Sequence, residues 1–437
     1  MQIKAKSLAM VLLLFIFTLA IVSVPRFVDL VMTAGNRLIY IQSANEYLIA
    51  IAWAFFLGST VFFYPVSWNI KKHLVVLWFI RTFVTLFVML IYERHYSLDA
   101  YEYYRNIMRL GDYGVDEWGT GTDFIVNLGI FLDNYLPFGK SYHAFKVLWS
   151  YFGFLSILPL YKLYKKFVSS EESILVLWML GAFPSLVFWT SILGKDPIAL
   201  LGISAFAYGL LSVHKKISAE GILYLVIGAL LLAFVRYWLV PIFLIPAAMS
   251  FMWQRNARLI WRTIGFAVIA SSAYYLILHM QNVLVITTET EALKSLNQIT
   301  SAWATGGSAL EAPSFNSLAD VISFLPKGML TALFRPLPGE VNNLFGIMAG
   351  IESLAILILF AISIKKMRWD LLSHPVIAYS WFSMFVWSSF YCFISYQNMG
   401  TAVRFRTQIL PFIILLPFII DKVKESIDSS RNISIGK

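Results

Sequence analysis

The stretch Glu93-Arg94-His95-Tyr96-Ser97-Leu98-Asp99-Ala100-Tyr101-Glu102-Tyr103-Tyr104 sets two carboxylates, Asp99 and Glu102, in a run of tyrosines. A carboxylate so placed can take a proton from a sugar hydroxyl as general base, while rings such as Tyr101 and Tyr104 pack against sugar faces. The same composition also describes an interfacial tyrosine belt with a solvated acid. Further on, Trp118-Gly119-Thr120-Gly121-Thr122-Asp123 reads either as a turn or as a glycine loop near a phosphate, with Trp118 and Asp123 as candidate sugar or acceptor contacts. Gly194-Lys195-Asp196-Pro197 is a tight hairpin. There Lys195 either pairs with Asp196 or reaches a lipid phosphate. Arg236, Arg335, Arg404 and Arg406 lie at the ends of apolar segments. Guanidinium groups bind phosphate through two parallel hydrogen bonds, so these are candidate ligands of a lipid-linked phosphate; anchoring to ordinary headgroups is the competing reading.

Other chemistries find no support. The chain contains no Walker loop and no HExxH helix. Its one cysteine, Cys392, sits in an apolar run, which excludes an intramolecular disulfide and a cysteine metal site. No cofactor is implied, no metal site is assigned, and nothing in the residues indicates a divalent cation.

These side chains need elements to hold them. The chain has 437 residues, 59% hydrophobic and only 13% charged, against about a quarter charged in soluble domains. Apolar runs of about 20 residues recur, the length that crosses a bilayer as a helix. We read an all-α, polytopic membrane bundle of about twelve transmembrane helices, near 7–24, 47–66, 74–92, 144–161, 174–193, 197–213, 220–235, 238–253, 263–281, 344–364, 375–395 and 409–420. Residues 1–424 form one transmembrane domain, and the Ser-rich stretch 425–437 is expected as a disordered cytoplasmic tail.

Lys and Arg crowd the short loops at Lys71-Lys72, Lys162/Lys165/Lys166, Lys215-Lys216, Arg255/Arg258/Arg262 and Lys365-Lys366/Arg368. The positive-inside rule then puts both termini in the cytoplasm. It explains the net charge of +10 without nucleic acid. The long loops 93–143 and 282–343 and the short loop 396–408 face outward and carry the candidate site. Within them, Leu98–Leu110 and Leu318–Phe334 read as amphipathic helices lying along or dipping into the membrane. No Asn-x-Ser/Thr acceptor falls in an outer segment, which favours a bacterial inner membrane. Three charged residues, Arg81, Lys146 and Glu352, fall inside spans; Arg81 and Glu352 could pair with each other, or Arg81 could snorkel to the cytoplasmic surface.

From Asp99 onward the order of features resembles the GT-C class of membrane glycosyltransferases, especially family 39-like proteins. The residues concerned are Asp99-Ala100-Tyr101-Glu102-Tyr103-Tyr104 through Leu110-Gly111-Asp112, then Phe138-Gly139-Lys140-Ser141, then a span with a basic cytoplasmic end. The likeness covers roughly residues 93–215. Ala100 stands where such enzymes often carry a second acid, with Glu102 nearby.

The resemblance implies a GT-C-like fold and an inverting transferase that takes a sugar from a polyprenyl phosphate or diphosphate at the extracytoplasmic face. The acceptor would be a glycan, lipid or protein in cell-envelope polysaccharide assembly. It implies Asp99 as the base, with outer Arg and Lys on the carrier phosphate. Two other classes remain open. One is a polysaccharide polymerase or O-antigen ligase type enzyme relying on arginine; the other is a transporter or lipid-glycan flippase, which needs a polar path through the bundle.

Overall fold

The computed structural model describes residues 44–435, apart from 97, 112–113, 116, 138–139, 255–258, 285–287 and 306–308. The span expected at 7–24, the Phe138-Gly139 pair and the Arg255/Arg258 loop lie outside the described residues. Among the described residues the secondary structure is helical, with one isolated bridge between Ala309 and Asn398.

The first part of the chain runs α1 (Ala44–Ser59), α2 (Trp68–Phe83), a π turn (Val84–Val88) and α3 (Met89–His95), then α4 (Asp99–Leu110) and α5 (Thr122–Tyr135). Next come α6 (Tyr142–Leu155), α7 (Ile157–Phe167), α8 (Ile174–Ala182), α9 (Pro184–Trp189), α10 (Lys195–Lys215) and α11 (Ala219–Arg236). The remainder is α12 (Leu239–Met252), α13 (Leu259–Leu284), α14 (Glu289–Trp303), α15 (Leu318–Phe334), α16 (Leu344–Lys366), α17 (Pro375–Ser395), α18 (Met399–Arg406) and α19 (Leu410–Ile435). Helix starts follow local chemistry. Ser67, Ser141, Ser218, Asn343 and Asn398 each accept a hydrogen bond from a first-turn amide, and Thr288/Glu291 and Ser317/Asp320 form capping boxes.

Among the described residues, seven helices are long and apolar enough to cross a membrane, and an eighth arises if α18 and α19, bent by 56°, count as one span. The chain is therefore built as a multi-pass membrane protein. Two of the expected spans differ for physical reasons. The segment 174–193 is not one span: proline disfavours a helical residue before it, and the helix breaks at Phe183, which is extended ahead of Pro184. Leu239–Met252, at 14 residues, is short for a crossing. α19 continues past Lys424 to Ile435; Lys422 pairs with Glu425 one turn on, and Arg368 reaches Asp428.

The α10–α11 hairpin lies at the centre. α10 is buried on nearly all sides, as a helix apolar all round should be. The two helices touch backbone to backbone: a Cβ on Gly209 would lie 2.2 Å from the Leu225 amide, and one on Gly228 2.3 Å from that of Phe206. Small residues at such crossings permit close approach, the usual solution where no hydrophobic drive joins helices in lipid.

The described basic loops gather at one end of the bundle. Lys162 pairs with Glu220 at 2.6 Å, Lys165 with Glu172 at 3.8 Å, and Ser67 donates to Glu172 at 2.7 Å. Lys215 donates to the Lys166 carbonyl, and His374 contacts the Phe167 carbonyl. The antiparallel hairpin therefore carries the start of α10 and the finish of α11 to the opposite end.

Candidate functional site

At that opposite end, four helices bring charged side chains together. Asp196, in the first turn of α10, is buried; its Oδ1 lies 2.9 Å from Nη1 of Arg236 at the finish of α11. A carboxylate at a helix start and a guanidinium at a helix finish both suit the backbone dipoles, so the hairpin favours this pair. The other oxygen, Oδ2, accepts from Nε of Arg404 on α18 at 2.6 Å. Arg404 also donates through Nη1 to Oδ2 of Asp99, the first residue of α4, at 3.2 Å. Asp99 is 60% exposed at its side chain, whereas Asp196 is enclosed. One arginine thus links an open carboxylate to a sealed one.

Aromatic rings lie against both guanidinium groups. Arg404 lies 5.9 Å from the centre of the Trp189 ring, and Arg236 lies 4.8 Å from that of Phe405. Behind Phe405 stand Trp303 and Tyr391, and Tyr391 accepts from the Trp238 indole at 3.1 Å. Tyr103 lies four residues after Asp99 on the same face of α4, with its ring 3.7 Å from the Cβ position of Gly194. Burial first, then the Asp99 carboxylate, push its phenol up to about 12, so it stays a protonated donor.

Lys195 completes the group. It has no carboxylate within ion-pair distance among the described residues, and its Nζ lies 3.6 Å from the Cβ position of Gly121. Gly121 adopts φ +64° and Gly119 φ +58°, backbone that glycine reaches without penalty. The Gly121 amide donates to the Phe234 carbonyl at 2.7 Å, and Phe124 stacks on Phe234, which docks the loop beside Arg236. Three cations face two carboxylates, leaving the cluster with spare positive charge.

A cavity of about 490 Å³ adjoins it. Its walls are mostly apolar, with Tyr92, Tyr96, Phe188, Trp189 and Phe345 on one side and Met399 and Val403 of α18 on another. Trp189 belongs to both the cavity and the Arg404 contact. Leu344 and Met348, 67% and 54% exposed, line it on the outer side of α16. A membrane-length helix presents such residues to lipid.

Of the residues expected from sequence, Asp99, Lys195, Arg236 and Arg404 come together. Glu102 is exposed on α4. Tyr101 and Tyr104 are buried, their hydroxyls donating to the carbonyls of Glu93 and Lys140. Trp118 packs on Phe124 and Phe131, and Asp123 is exposed at the start of α5. Arg335 pairs with Glu340 at 2.8 Å. Arg406 turns inward, donating to the carbonyls of Leu333 and Arg335 and to Ser353. Asp196, Tyr103 and Trp189 were missed as site residues. Tyr103 was legible from its four-residue spacing after Asp99; Asp196 was read only as a neighbour of Lys195.

Two further features escaped the sequence reading. Glu93 and Lys146 form a fully buried ion pair at 2.9 Å, with the Tyr142 hydroxyl donating to Glu93 at 3.0 Å. Arg81 and Glu352 neither pair with each other nor reach the surface: Arg81 bonds Thr190, and Glu352 bonds Ser185.

Fold and site together define a multi-pass helical membrane protein with a cationic, aromatic-walled cluster at one end. No family model matches the chain, and no curated protein or solved structure matches it either.

Proposed function

We propose that the chain is a membrane glycosyltransferase that moves a sugar from a polyprenyl-phosphate donor to a hydroxyl of a glycan or lipid acceptor. The observation that carries this is the cationic Asp99–Arg404–Asp196–Arg236–Lys195 cluster set against an apolar cavity beside lipid-facing side chains. A ligand with a long apolar chain and a phosphate matches both halves at once. A soluble nucleotide sugar would leave the cavity unused.

In this reading the donor phosphate lies against Lys195 and Arg404, with Arg236 supporting through Asp196. Asp99 takes the proton of the acceptor hydroxyl. The freed oxygen bonds to the anomeric carbon as the bond from that carbon to the phosphate oxygen breaks. The polyprenyl phosphate leaves with the electron pair, and the cations offset the charge it gains. Attack opposite the leaving group inverts the anomeric centre. The organisation we propose around this chemistry is GT-C-like, with cytoplasmic termini and the site on the outer face of a bacterial inner membrane.

One observation favours a second reading. Arg404 touches both carboxylates and so sits at the geometric centre, which suits a polymerase or O-antigen ligase type enzyme driven by arginine. The test compares lipid-linked and surface glycans in cells holding equal membrane levels of the normal protein, Asp99→Asn or Arg404→Ala. Loss of a general base lowers transfer by about 10²–10⁴-fold, so Asp99→Asn is expected to lose one glycan addition and accumulate the unmodified acceptor. Unchanged glycans in Asp99→Asn with a defect in Arg404→Ala would replace this reading with the second.

A further inference from the structure

Outside the cluster, Arg81 on α2 and Glu352 on α16 are buried ionisable groups within membrane-length helices. An ionised side chain inside a membrane-length helix is costly and needs compensation. Glu352 faces the charge of Arg406, and the side-chain hydrogen bonds of both residues lie at the two ends of one short helix. Glu352 accepts from the Ser185 amide at 3.2 Å and from the Ser185 hydroxyl at 2.7 Å. Arg81 donates from Nη1 to the Thr190 hydroxyl at 2.6 Å, with the Thr190 and Ser150 carbonyls at 3.4 Å. Ser185 is the second residue of α9, and Thr190 directly follows its last.

The match is chemical as well as spatial. The first amides of a helix and its last carbonyls have no partners within the helix. Here a carboxylate meets the former and a guanidinium the latter. α9 has six residues and is cut from α8 at Phe183 and from α10 by the turn 190–194. No continuous helical ladder orients it, so side chains from α2 and α16 must.

What α9 carries explains why its orientation matters. Trp189, its last residue, lies beneath Arg404, and together with Phe188 it walls the cavity. The turn that follows is buried from Thr190 to Leu193 and leads directly into Lys195 and Asp196. Moving α9 by a fraction of a turn would shift three members of the cluster.

We propose that Arg81 and Glu352 are positioning residues that clamp α9 from opposite ends, holding Trp189, Lys195 and Asp196 in register with Arg404. The effect on sugar transfer rests on the function proposed above; the clamp itself does not.

The experiment uses the full chain in membranes, with Cys392 replaced by Ala and a single reporter thiol introduced by Leu193→Cys. Leu193 is fully buried, so N-ethylmaleimide reacts with it only when the turn opens. Arg81→Met and Glu352→Gln are each expected to raise the labelling rate about tenfold or more through local opening. Arg81→Lys and Glu352→Asp should restore part of the protection. A control thiol from Leu211→Cys, buried near the other end of α10, should stay protected throughout.

Unchanged labelling at position 193 in both variants overturns the clamp. Equal increases at 193 and 211 also overturn it, because the charges would then support the whole bundle. The glycan comparison in the same cells separates the two proposals. If Asp99→Asn is silent, the transferase reading fails while labelling alone judges the clamp. If Asp99→Asn abolishes transfer but the opened variants transfer normally, the positioning role is overturned.

Discussion

Asp196 is the residue on which the cluster depends, because it is enclosed and answers two arginines. Removing one partner of a buried pair leaves an uncompensated charge and costs about 3–5 kcal/mol. Arg236→Met is therefore expected to lower the unfolding temperature in detergent clearly, with Arg236→Lys recovering part of the loss. The Glu93–Lys146 pair gives a cleaner case, being wholly enclosed. Lys146→Met alone should destabilise by about the same 3–5 kcal/mol, whereas Glu93→Leu with Lys146→Met should lose much less, since no charge stays buried. Additive losses in thermal unfolding would show that the pair is not coupled. Both carboxylates were visible as letters, but their roles were not. Glu93 read as the edge of an outer loop, and Asp196 as a surface neighbour of Lys195. Burial and partner choice depend on residues far away in the chain.

At the scale of elements, the hairpin of α10 and α11 sets the distance between Asp196 and Arg236 by backbone contact at Gly209 and Gly228. Gly228→Leu must push the helices apart, because its neighbour there is the Phe206 backbone rather than a flexible side chain. We expect a lower unfolding temperature and weaker glycan addition, while Gly111→Ala, with open space around its Cβ position, leaves both unchanged. The loop before α16 carries a pH response. Burial alone would raise the Glu340 carboxyl, but Arg335 and the Leu337 amide outweigh it and hold it below the usual glutamate range. A lowered folded value means the stabilisation is complete above the unfolded value of about 4.3 and is lost as pH falls through the folded one. The protection of the Leu337 amide against hydrogen exchange, measured relative to its intrinsic rate at each pH, should hold near neutrality and fall only at acid pH, because that amide lies 2.7 Å from Glu340. The elements themselves were largely readable: Leu318–Phe334 has the bounds expected from the pattern, and the amphipathic Leu98–Leu110 stretch appears as Asp99–Leu110. The break at Pro184 was not read, because the apolar run continues through it and hydropathy is blind to the backbone.

Across the whole molecule, the basic loops collect at one end and the cluster at the other. We expect a thiol from Lys216→Cys, with Cys392 replaced, to react with a membrane-impermeant maleimide only after the cells are opened. One from Asn316→Cys should react in intact cells. The reverse pattern would put the cluster in the cytoplasm and end the proposal of an outer-face transferase.

The multi-pass membrane class was legible in the sequence alone, because a bilayer imposes a simple test of length and apolarity on each segment; sidedness stands as the expectation that loop charge, a local count, sets up. Which charges meet was a different matter. Asp99 and Arg404 are 305 positions apart, and Asp196 and Arg404 are 208 apart. Their contact depends on how each helix is rotated and where it ends against its neighbours. The same holds for Arg81 and Glu352, which a reading by residue type would join to each other. Only the packed bundle turned each of them toward a different end of α9, since a buried charge takes the nearest dipole that geometry offers.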